Sequence, residues 1–450
     1  MGFIYGLAVI VVIFEGIIIQ CEGAPRQKRD APILPNDIIE LIFSKTDFER
    51  IQEAAREKII RANDIVMGKI LKNHTIVIRP DFNKKICGDN SGGMEIGNYK
   101  GLESFFKKFG GKVKKIEILL GYNYDPRRKI TQNIIKRYAK TFEELRIDGF
   151  YLDIFWNGLS DGENDIIFPE VKKFQIRGDI IRNYFKLNLI FPKLESFTLI
   201  GKIADVNCLE NVKGLKELTL DTKSIVEDKL DDIFANNVNM TLIFLSEPNR
   251  AKTMDSIAQH LTKLKTLKVQ SPGEQFLLRA NNSPICRLPS VTHFDITFDT
   301  MDEIFGVGNL SFDMPHLEKL TLNGGQADDR IIKFIKYFKD LEILELFVHD
   351  YNTAKCIEKL KHIKEFTTNF YENRFASLKN MFTNFDEESE LQTVKFLHFE
   401  LPNQKYEKPM KEFNNHLENC GKPKWTLSHE EHIETSRKYL VFHREPCKCK

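Results

Sequence analysis

One pattern of apolar positions recurs along most of the chain: an apolar residue, two others, a second apolar residue, one other, and a third apolar residue. Within the last part of each instance apolar and polar residues alternate, which is typical of a strand with one buried face. The pattern therefore predicts twelve short strands, in instances that begin at Val113, Phe142, Val171, Leu194, Leu215, Met240, Leu264, Val291, Leu317, Leu341, Ile363 and Val394.

The stretches between these instances have a helical period. The segment 225–234 places Ile225, Leu230, Ile233 and Phe234 on one helix face, and the segment 330–338 does likewise. Ten of the eleven spacings between successive instances fall within 20–29 residues. Because no single strand–turn–helix unit can bury its own apolar face, the units must stack. The sequence thus predicts an α/β solenoid of about twelve irregular repeats over residues 73–410, with strands on the concave side.

Strand geometry assigns a direction to each side chain of a repeat. The apolar residues of the pattern, which we call anchors, point inward, and Leu218, Leu267, Leu320 and Leu344 are expected to be almost fully buried. The residue between the last two anchors points outward, so we predict a partner-binding row on the concave face formed by Glu117, Arg146, Gln175, Thr198, Thr219, Phe244, Lys268, Asp295, Thr321, Glu345, Thr367 and His398. Phe244 is unusual in this row, and the alternative is that it belongs to the core of an irregular repeat.

The repeats resemble those of leucine-rich-repeat proteins. The usual consensus places Asn or Cys three residues after the last anchor, where this chain has other residues, among them Gly121, Phe150, Asp179, Lys202 and Gly325. Irregular repeats of this kind look most like those of insect F-box/leucine-rich-repeat proteins.

That resemblance extends to the segment before the repeats, residues 34–72. An F-box opens with a Leu-Pro pair and an apolar helix, followed by an aspartate and further apolar positions. The positions that match at its start are Leu34, Pro35, Ile39, Ile42 and Phe43, and Asp47 and Ile51 match after them. The first five are the possible Skp1-binding residues. In the family these residues dock Skp1, which implies a link to a cullin ubiquitin ligase. The match ends where the charged stretch 56–61 replaces an apolar one, and Thr46 replaces a core leucine. The alternative is a degenerate F-box-like segment that only caps the solenoid.

The N-terminus has the pattern of a secretory signal peptide over residues 1–23, with cleavage near Gly23. Its apolar run is shorter than the roughly 20 residues that a spanning helix needs, so no stable membrane anchor is expected after cleavage. The alternative is an N-terminal anchor helix. The pattern Arg26-Gln27-Lys28-Arg29 follows, which suggests a propeptide over residues 24–29 or a plain basic linker.

Charge, sequons and cysteines bear on the class of partner and on covalent modifications. Sixty-six basic residues oppose 64 acidic ones, and this net charge of +2 argues against nucleic acid as a partner. Secretion makes four glycosylation sequons worth noting, at Asn73, Asn239, Asn281 and Asn309. A disulfide from Cys420 to Cys447 or Cys449 would close the C-terminal tail or cap, residues 411–450; the alternative is scattered buried thiols.

None of the motifs that resemble a catalytic or metal site has the sequence context that such a site needs. Gly158-Leu159-Ser160-Asp161-Gly162 matches a nucleophile elbow in letters only, since it lies in a repeat connection. His429 and His432 lack a third ligand and are expected on a solvated tail helix. We therefore expect no enzyme activity, no cofactor and no metal.

The combination of signal peptide, Leu-Pro helix and irregular repeats resembles secreted salivary or venom effectors of insects. The resemblance implies a secreted, non-enzymatic protein that binds a protein partner through its concave face and acts on a host. Two alternatives remain: the substrate-recognition subunit of an intracellular Skp1–cullin ubiquitin ligase, and an extracellular recognition protein of immunity.

Overall fold

The structure is a computed structural model in which the chain divides into two compact units, residues 1–66 and 67–450. The residues described here all belong to the second unit; they are 71–72, 74–78, 94–95, 99–120, 128–149, 152–159, 166–178, 186–201, 206–221, 227–248, 251–277, 285–298, 310, 312–324, 329–347, 361–369, 382–383, 385, 389–398, 407–432 and 437–445. The predicted signal peptide, propeptide and Skp1-docking residues Leu34, Pro35, Ile39, Ile42 and Phe43 lie outside them.

An open, predominantly parallel sheet of 16 strands organises this unit. In chain order the strands are β1 (Thr75–Ile78), β2 (Met94–Glu95), β3 (Lys115–Leu120), β4 (Glu144–Gly149), β5 (Lys173–Arg177), β6 (Ser196–Ile200), β7 (Glu217–Asp221), β8 (Leu242–Ser246), β9 (Thr266–Gln270), β11 (His293–Thr297), β13 (Lys319–Asn323), β14 (Ile343–Phe347), β15 (Glu365–Asn369), β16 (Thr393–His398), β17 (Trp425–His432) and β18 (Arg437–Arg444). A separate two-stranded sheet joins β10 (Cys286–Arg287) to β12 (Phe312–Asp313).

Helices occupy the connections between the strands. They are α1 (Tyr99–Phe109), α2 (Arg128–Tyr138), α3 (Leu152–Asn157), α4 (Leu187–Ile190), α5 (Glu227–Asn236), α6 (Ala251–His260), α7 (Glu274–Leu277), α8 (Asp329–Lys336) and α9 (Glu407–Asn419), with two short 3-10 turns at Gly110–Lys112 and Val206–Leu209. The two helices predicted from their period are confirmed as α5 and α8. The predicted α/β class is therefore confirmed.

Apart from β10 and β12, the strands from β3 to β16 follow one another in space as they do along the chain, and each pairs in parallel with the next. Their anchors are in register, so that Leu218 pairs with Ile243 and Ile243 pairs with Leu267. Leu218, Leu267, Leu320 and Leu344 are all 0% exposed, as predicted. A core of anchors and inward-facing helix residues thus runs along the helix-bearing face of the sheet.

The many phenylalanines are largely a property of this core. Phe174 of β5 lies 4.3 Å from Phe191 and 6.0 Å from Phe197 of β6, measured between ring centroids, and Phe191 also stacks on Phe168 at 5.2 Å. Paired positions on the neighbouring strands β5 and β6 therefore carry the same bulky ring, and the rings contact one another from strand to strand.

The last predicted repeat is shifted by three residues. Thr367 pairs with Lys395 and Phe366 pairs with Val394, so Val394 is the second anchor of its repeat and buried Leu391 is the first. Lys395 consequently takes the place in the outward row that was predicted for His398, which pairs instead with Lys438 of β18.

Two ends of the sheet were not predicted. Strand β1 adds a unit before the first predicted instance, with Ile76 paired to Ile116 and Ile78 paired to Ile118. At the other end β18 pairs antiparallel with both β16 and β17. The segment with His429 and His432 is therefore part of strand β17, and the predicted tail helix is wrong there.

A buried asparagine joins two consecutive units. Asn237, 2% exposed, accepts a hydrogen bond from the backbone N–H of Leu215 at 2.9 Å. Its side-chain amide nitrogen donates to the carbonyl oxygens of Val212 and Ile233, both at 2.9 Å. Two of these bonds reach backbone groups just before β7 and the third reaches Ile233 in α5, so one side chain joins the turn before β8 to the segment before β7.

Candidate partner-binding face

The outward face of the sheet, which we call the open face, carries the side chains that alternate with the anchors. Strand pairing aligns one of these residues from each strand into a single row, the middle row. Eleven of the twelve residues predicted for it occupy it, and Lys395 replaces His398: Glu117, Arg146, Gln175, Thr198, Thr219, Phe244, Lys268, Asp295, Thr321, Glu345, Thr367 and Lys395.

Exposure varies along the middle row. Arg146 is the most exposed of its members, whereas Thr321 and Thr367 are only 7% and 2% exposed, and the others are half-buried. The uninterrupted accessible part of the row therefore extends from β3 to β11, where the next member, Thr321, is buried.

The centre of this stretch is uncharged. Thr198, Thr219 and Phe244 are consecutive in the middle row, and Leu242 and Ile200 lie on the same face of β8 and β6. We call these five residues the central patch. Ile200 is 43% exposed, and Phe244 and Leu242 are half-buried. The patch therefore presents apolar surface to solvent at the centre of the open face.

Phe244 lies on the open face and not in the core. Its neighbours along β8, Ile243 and Leu245, are both 0% exposed, while Phe244 alternates with them and remains half-buried. The regular alternation of β8 places the ring in the middle row beside Thr219 and Lys268.

Beside the patch, strands β6 and β7 are paired over a shorter length than their neighbours. Strands β6 and β7 share only three residue pairs, and the last joins Thr198 to Thr219. The neighbouring pairs β5–β6 and β7–β8 each have five. Because the ladder stops at Thr198, Ile200 has no paired residue on β7, which accounts for its exposure.

On one side the patch is bordered by basic residues. Arg146 and Lys173 are exposed, and neither makes an ion pair within the part of the chain that the structure describes. Arg177, paired in register with Ile200, forms an ion pair with Asp148 at 3.4 Å. The border therefore combines unneutralised cations with a half-exposed ion pair.

On the other side a hydrogen-bonded network borders the patch. Lys268 lies 3.6 Å from Asp295, and the amide nitrogen of Asn323 donates to Asp295 at 3.3 Å and to the hydroxyl of Thr297 at 3.2 Å. Burial raises the pKa of Asp295 above its ordinary value, an effect that nearby Lys268 partly opposes. Burial of this kind disfavours the charged carboxylate.

A second cluster of linked side chains is centred on Glu345. One of its oxygens lies 2.7 Å from the ammonium nitrogen of Lys319, and the other accepts a hydrogen bond from the Thr321 hydroxyl at 2.9 Å. Burial lowers the pKa of His293, and the charge of Lys319 adds to this effect. Together the two clusters link side chains of β9, β11, β13 and β14 across the open face.

The described residues contain one arrangement that superficially resembles a catalytic triad. The Ser256 hydroxyl donates to Asp231 at 2.5 Å, and His260 contacts the same carboxylate oxygen at 3.1 Å. Activation of a serine nucleophile requires the histidine to accept the serine proton. Here the serine hydroxyl donates its hydrogen bond to the aspartate and not to the histidine, so the three side chains do not have the triad arrangement. The hydrogen bond from Ser256 lowers the pKa of Asp231, and the three side chains join α5 to α6.

Three further features of the described residues bear on metal binding, membrane spanning and the state of the cysteines. No group of three His, Cys, Asp or Glu side chains there is arranged to hold a metal ion. None of the described helices has the length and apolar character that crossing a bilayer requires. The Cys420 thiol is free and exposed, so it is not in the predicted disulfide; Cys447 and Cys449 lie outside the described residues.

Sequence reasoning missed Ile200 and Leu242. The sequence contained the signal for both, because they occupy outward positions of predicted strands, but only one outward position per strand was considered.

No model of a known protein family matches the chain, and no curated protein is significantly similar to it in sequence.

Proposed function

We propose that the chain is a non-enzymatic leucine-rich-repeat solenoid that binds a protein partner through its open face, which would be the concave face of the solenoid. The repeat assignment is supported by one strand per predicted repeat, in chain order and with the anchors in register. The observation that carries the binding function is the central patch, where Ile200, Leu242 and Phe244 expose apolar surface between two charged borders.

A protein surface fits this face better than a polyanion does. The open face alternates cations and anions, and several of them, such as Lys268 with Asp295 and Lys319 with Glu345, already neutralise each other. A nucleic acid would need an excess of unpaired cations. An apolar centre with a polar, ordered border is the usual composition of a protein interface, and aromatic residues at such centres often dominate its energetics.

The setting that we propose is extracellular, as for a secreted insect effector that acts on a host. Support comes from the sequence of residues 1–29 and from the resemblance to insect F-box/leucine-rich-repeat proteins. N-terminal sequencing of the protein from its natural fluid tests this: a mature chain that begins at Ala24 or Asp30 agrees with secretion, and one that retains Met1 contradicts it.

The ubiquitin-ligase alternative rests on the Leu34-Pro35 segment. A pull-down of purified Skp1 by the mature chain, with Leu34→Ala/Pro35→Ala as control, separates it from simple binding. Skp1 retained by the unchanged chain and lost from the variant would favour the ligase function.

The binding proposal is tested by partner capture followed by titration. Captured proteins from the natural target tissue are ranked by enrichment, and the affinity of each is measured for the unchanged chain, Phe244→Ala and Ile200→Ala. We expect affinity for the true partner to fall more than tenfold, about 1.4 kcal/mol, on loss of the Phe244 ring.

The matched control is Leu189→Ala on helix α4, outside the open face. Leu189 is 58% exposed, so its loss removes a comparable amount of exposed apolar surface. A partner that tolerates Phe244→Ala and Ile200→Ala as well as it tolerates the control does not bind at the central patch, and the proposal would then be wrong.

A further inference from the structure

Of the four glycosylation sequons, only the one at Asn239 lies within the described residues, in the turn between α5 and β8. The side chain of Asn239 is exposed. The chain is fixed on both sides of it, because Asn237 and the anchor Met240 are buried and the N–H of Thr241 donates to the carbonyl oxygen of Lys216 at 2.8 Å. The fold therefore holds Asn239 outward at the edge of the sheet where the strands begin.

The surroundings of Asn239 leave its amide nitrogen accessible. The side-chain carbonyl oxygen accepts a hydrogen bond from the ammonium group of Lys263 at 2.7 Å, which leaves the amide nitrogen without a partner among the described residues. Lys263 precedes the anchor Leu264 just as Asn239 precedes Met240, and on the other side the equivalent position is Gly214. A β-carbon at Gly214 would meet nothing within 4 Å, so there is open space beside Asn239.

We infer that Asn239 is an N-glycosylation site that carries an Asn-linked oligosaccharide. The residues Asn239-Met240-Thr241 provide the acceptor sequence, and a bulky, hydrated glycan requires an exposed surface position of this kind. The inference rests on the secretion in the proposed function, since the donor is a lipid-diphosphate-linked oligosaccharide of the secretory pathway.

The transfer balances without any further reagent. The bond between the anomeric carbon of the donor and its diphosphate breaks, and a bond forms between that carbon and the amide nitrogen of Asn239. The nitrogen loses one proton to solvent, and the lipid diphosphate leaves. The carbonyl oxygen of the amide is unchanged, so the hydrogen bond from Lys263 is retained in the product.

The position places the glycan at the strand-start edge of the open face, three residues before Leu242 and five before Phe244. Asn239 precedes strand β8, and the strand runs away from it toward Phe244 on the open face. A glycan at the strand-start edge therefore shields that edge from other proteins in solution, while the middle row remains accessible.

The test is peptide mapping of the full chain secreted from cultured insect cells. Trypsin releases the segment from Leu230 to Arg250, and peptide N-glycosidase in heavy-oxygen water converts a glycosylated asparagine to a labelled aspartate. We expect the label at Asn239 in the unchanged chain. Asn239→Gln and Thr241→Val should abolish it, whereas Thr241→Ser should keep it. Asn236→Gln is the matched control, since Asn236 is exposed nearby but lies outside any sequon, and it should also keep the label.

The outcomes separate this inference from the proposed function. A chain that reaches the medium with an unmodified Asn239 overturns the glycosylation site and leaves secretion intact. A chain that stays in the cytosol with residues 1–23 attached overturns secretion, and the site with it. A label that persists in Asn239→Gln would come from another asparagine of the peptide and would overturn the assignment.

Discussion

Replacement of Asn237 by leucine tests how neighbouring units are held together. Leucine has nearly the same size but cannot form the three hydrogen bonds of the asparagine amide. The N–H of Leu215 would then be buried without an acceptor, because Leu215 is 0% exposed. The carbonyl oxygens of Val212 and Ile233 would each lose one donor.

The expected cost follows from these three losses. A buried, unsatisfied donor costs roughly 1–3 kcal/mol, and each lost hydrogen bond to a carbonyl roughly 0.5–1.5 kcal/mol. Leucine recovers about 1 kcal/mol through its additional buried apolar surface. We therefore expect Asn237→Leu to lower the free energy of unfolding by about 3 kcal/mol, and to make the opening that exposes the Leu215 amide about 100-fold more frequent.

Two measurements check this value. Urea unfolding reports the total stability, and amide hydrogen exchange at Leu215 reports the local effect, which matters because stacked units need not unfold as one. Asn236→Leu is the control: Asn236 is exposed in the same helix, and its loss should change stability by less than about 0.5 kcal/mol. If Asn237→Leu matched this control in both measurements, the asparagine would not hold the units together.

Three further predictions concern other parts of the molecule. Leu267→Ala should lower the free energy of unfolding by roughly 2–5 kcal/mol and Lys268→Ala, at its half-buried, outward-facing neighbour, by far less, so equal losses in urea unfolding would contradict the register of β9. Because burial raises the pKa of Asp295 in the folded state, its contribution to stability is fully present below the ordinary pKa of about 3.9 and is lost as pH rises through the raised value. Asp295→Asn should therefore be more stable than the unchanged chain at neutral pH, and thermal unfolding should show this difference vanish in acid; a constant difference would contradict the shift. Cys420 should react with iodoacetamide in the native protein whereas buried Cys208 should react only after unfolding, and a blocked Cys420 in peptide maps would restore the disulfide predicted for the tail.

The spacing of apolar residues was sufficient to predict the strands because register in this sheet is set by burial. A strand that slipped by one residue would expose its anchors, so Leu218, Ile243 and Leu267 can align in only one way. The same rule predicted that Thr219 and Phe244 share the open face. Because burial of the anchors fixes the register, the positions of eleven members of the middle row could be predicted correctly.

Where the apolar pattern is ambiguous, the prediction failed. Leu391, Val394 and Phe396 fit the pattern, but Val394, Leu397 and Phe399 fit it equally well in sequence. The structure uses the first set, and the spacing from Ile363 then becomes 28 residues, as counted to Leu391. At the other end β1 was missed because the polar Asn73 stands where the pattern expects its first apolar residue.

The contacts that distinguish this molecule are less visible in a sequence. Two of the three Asn237 hydrogen bonds join residues more than twenty positions apart, and the end of the β6–β7 ladder at Thr198 is set by how these two strands diverge. Neither has a periodic signature. The hairpin of β17 and β18 reverses the direction of the chain, and a pattern built from parallel repeats contains no sign of that reversal.

The agreement between chain order and strand order from β3 to β16 has a mechanical consequence. A force applied to the two ends of this region loads the outermost strands first, and each strand is held to the rest only by its neighbours. Detaching one strand leaves the next pair intact and newly loaded. Under tension the region should therefore lengthen in steps, and each step should release one unit of between 21 and 29 residues. After the force is removed, the units that are still folded should serve as the template on which the detached ones re-form in the reverse order.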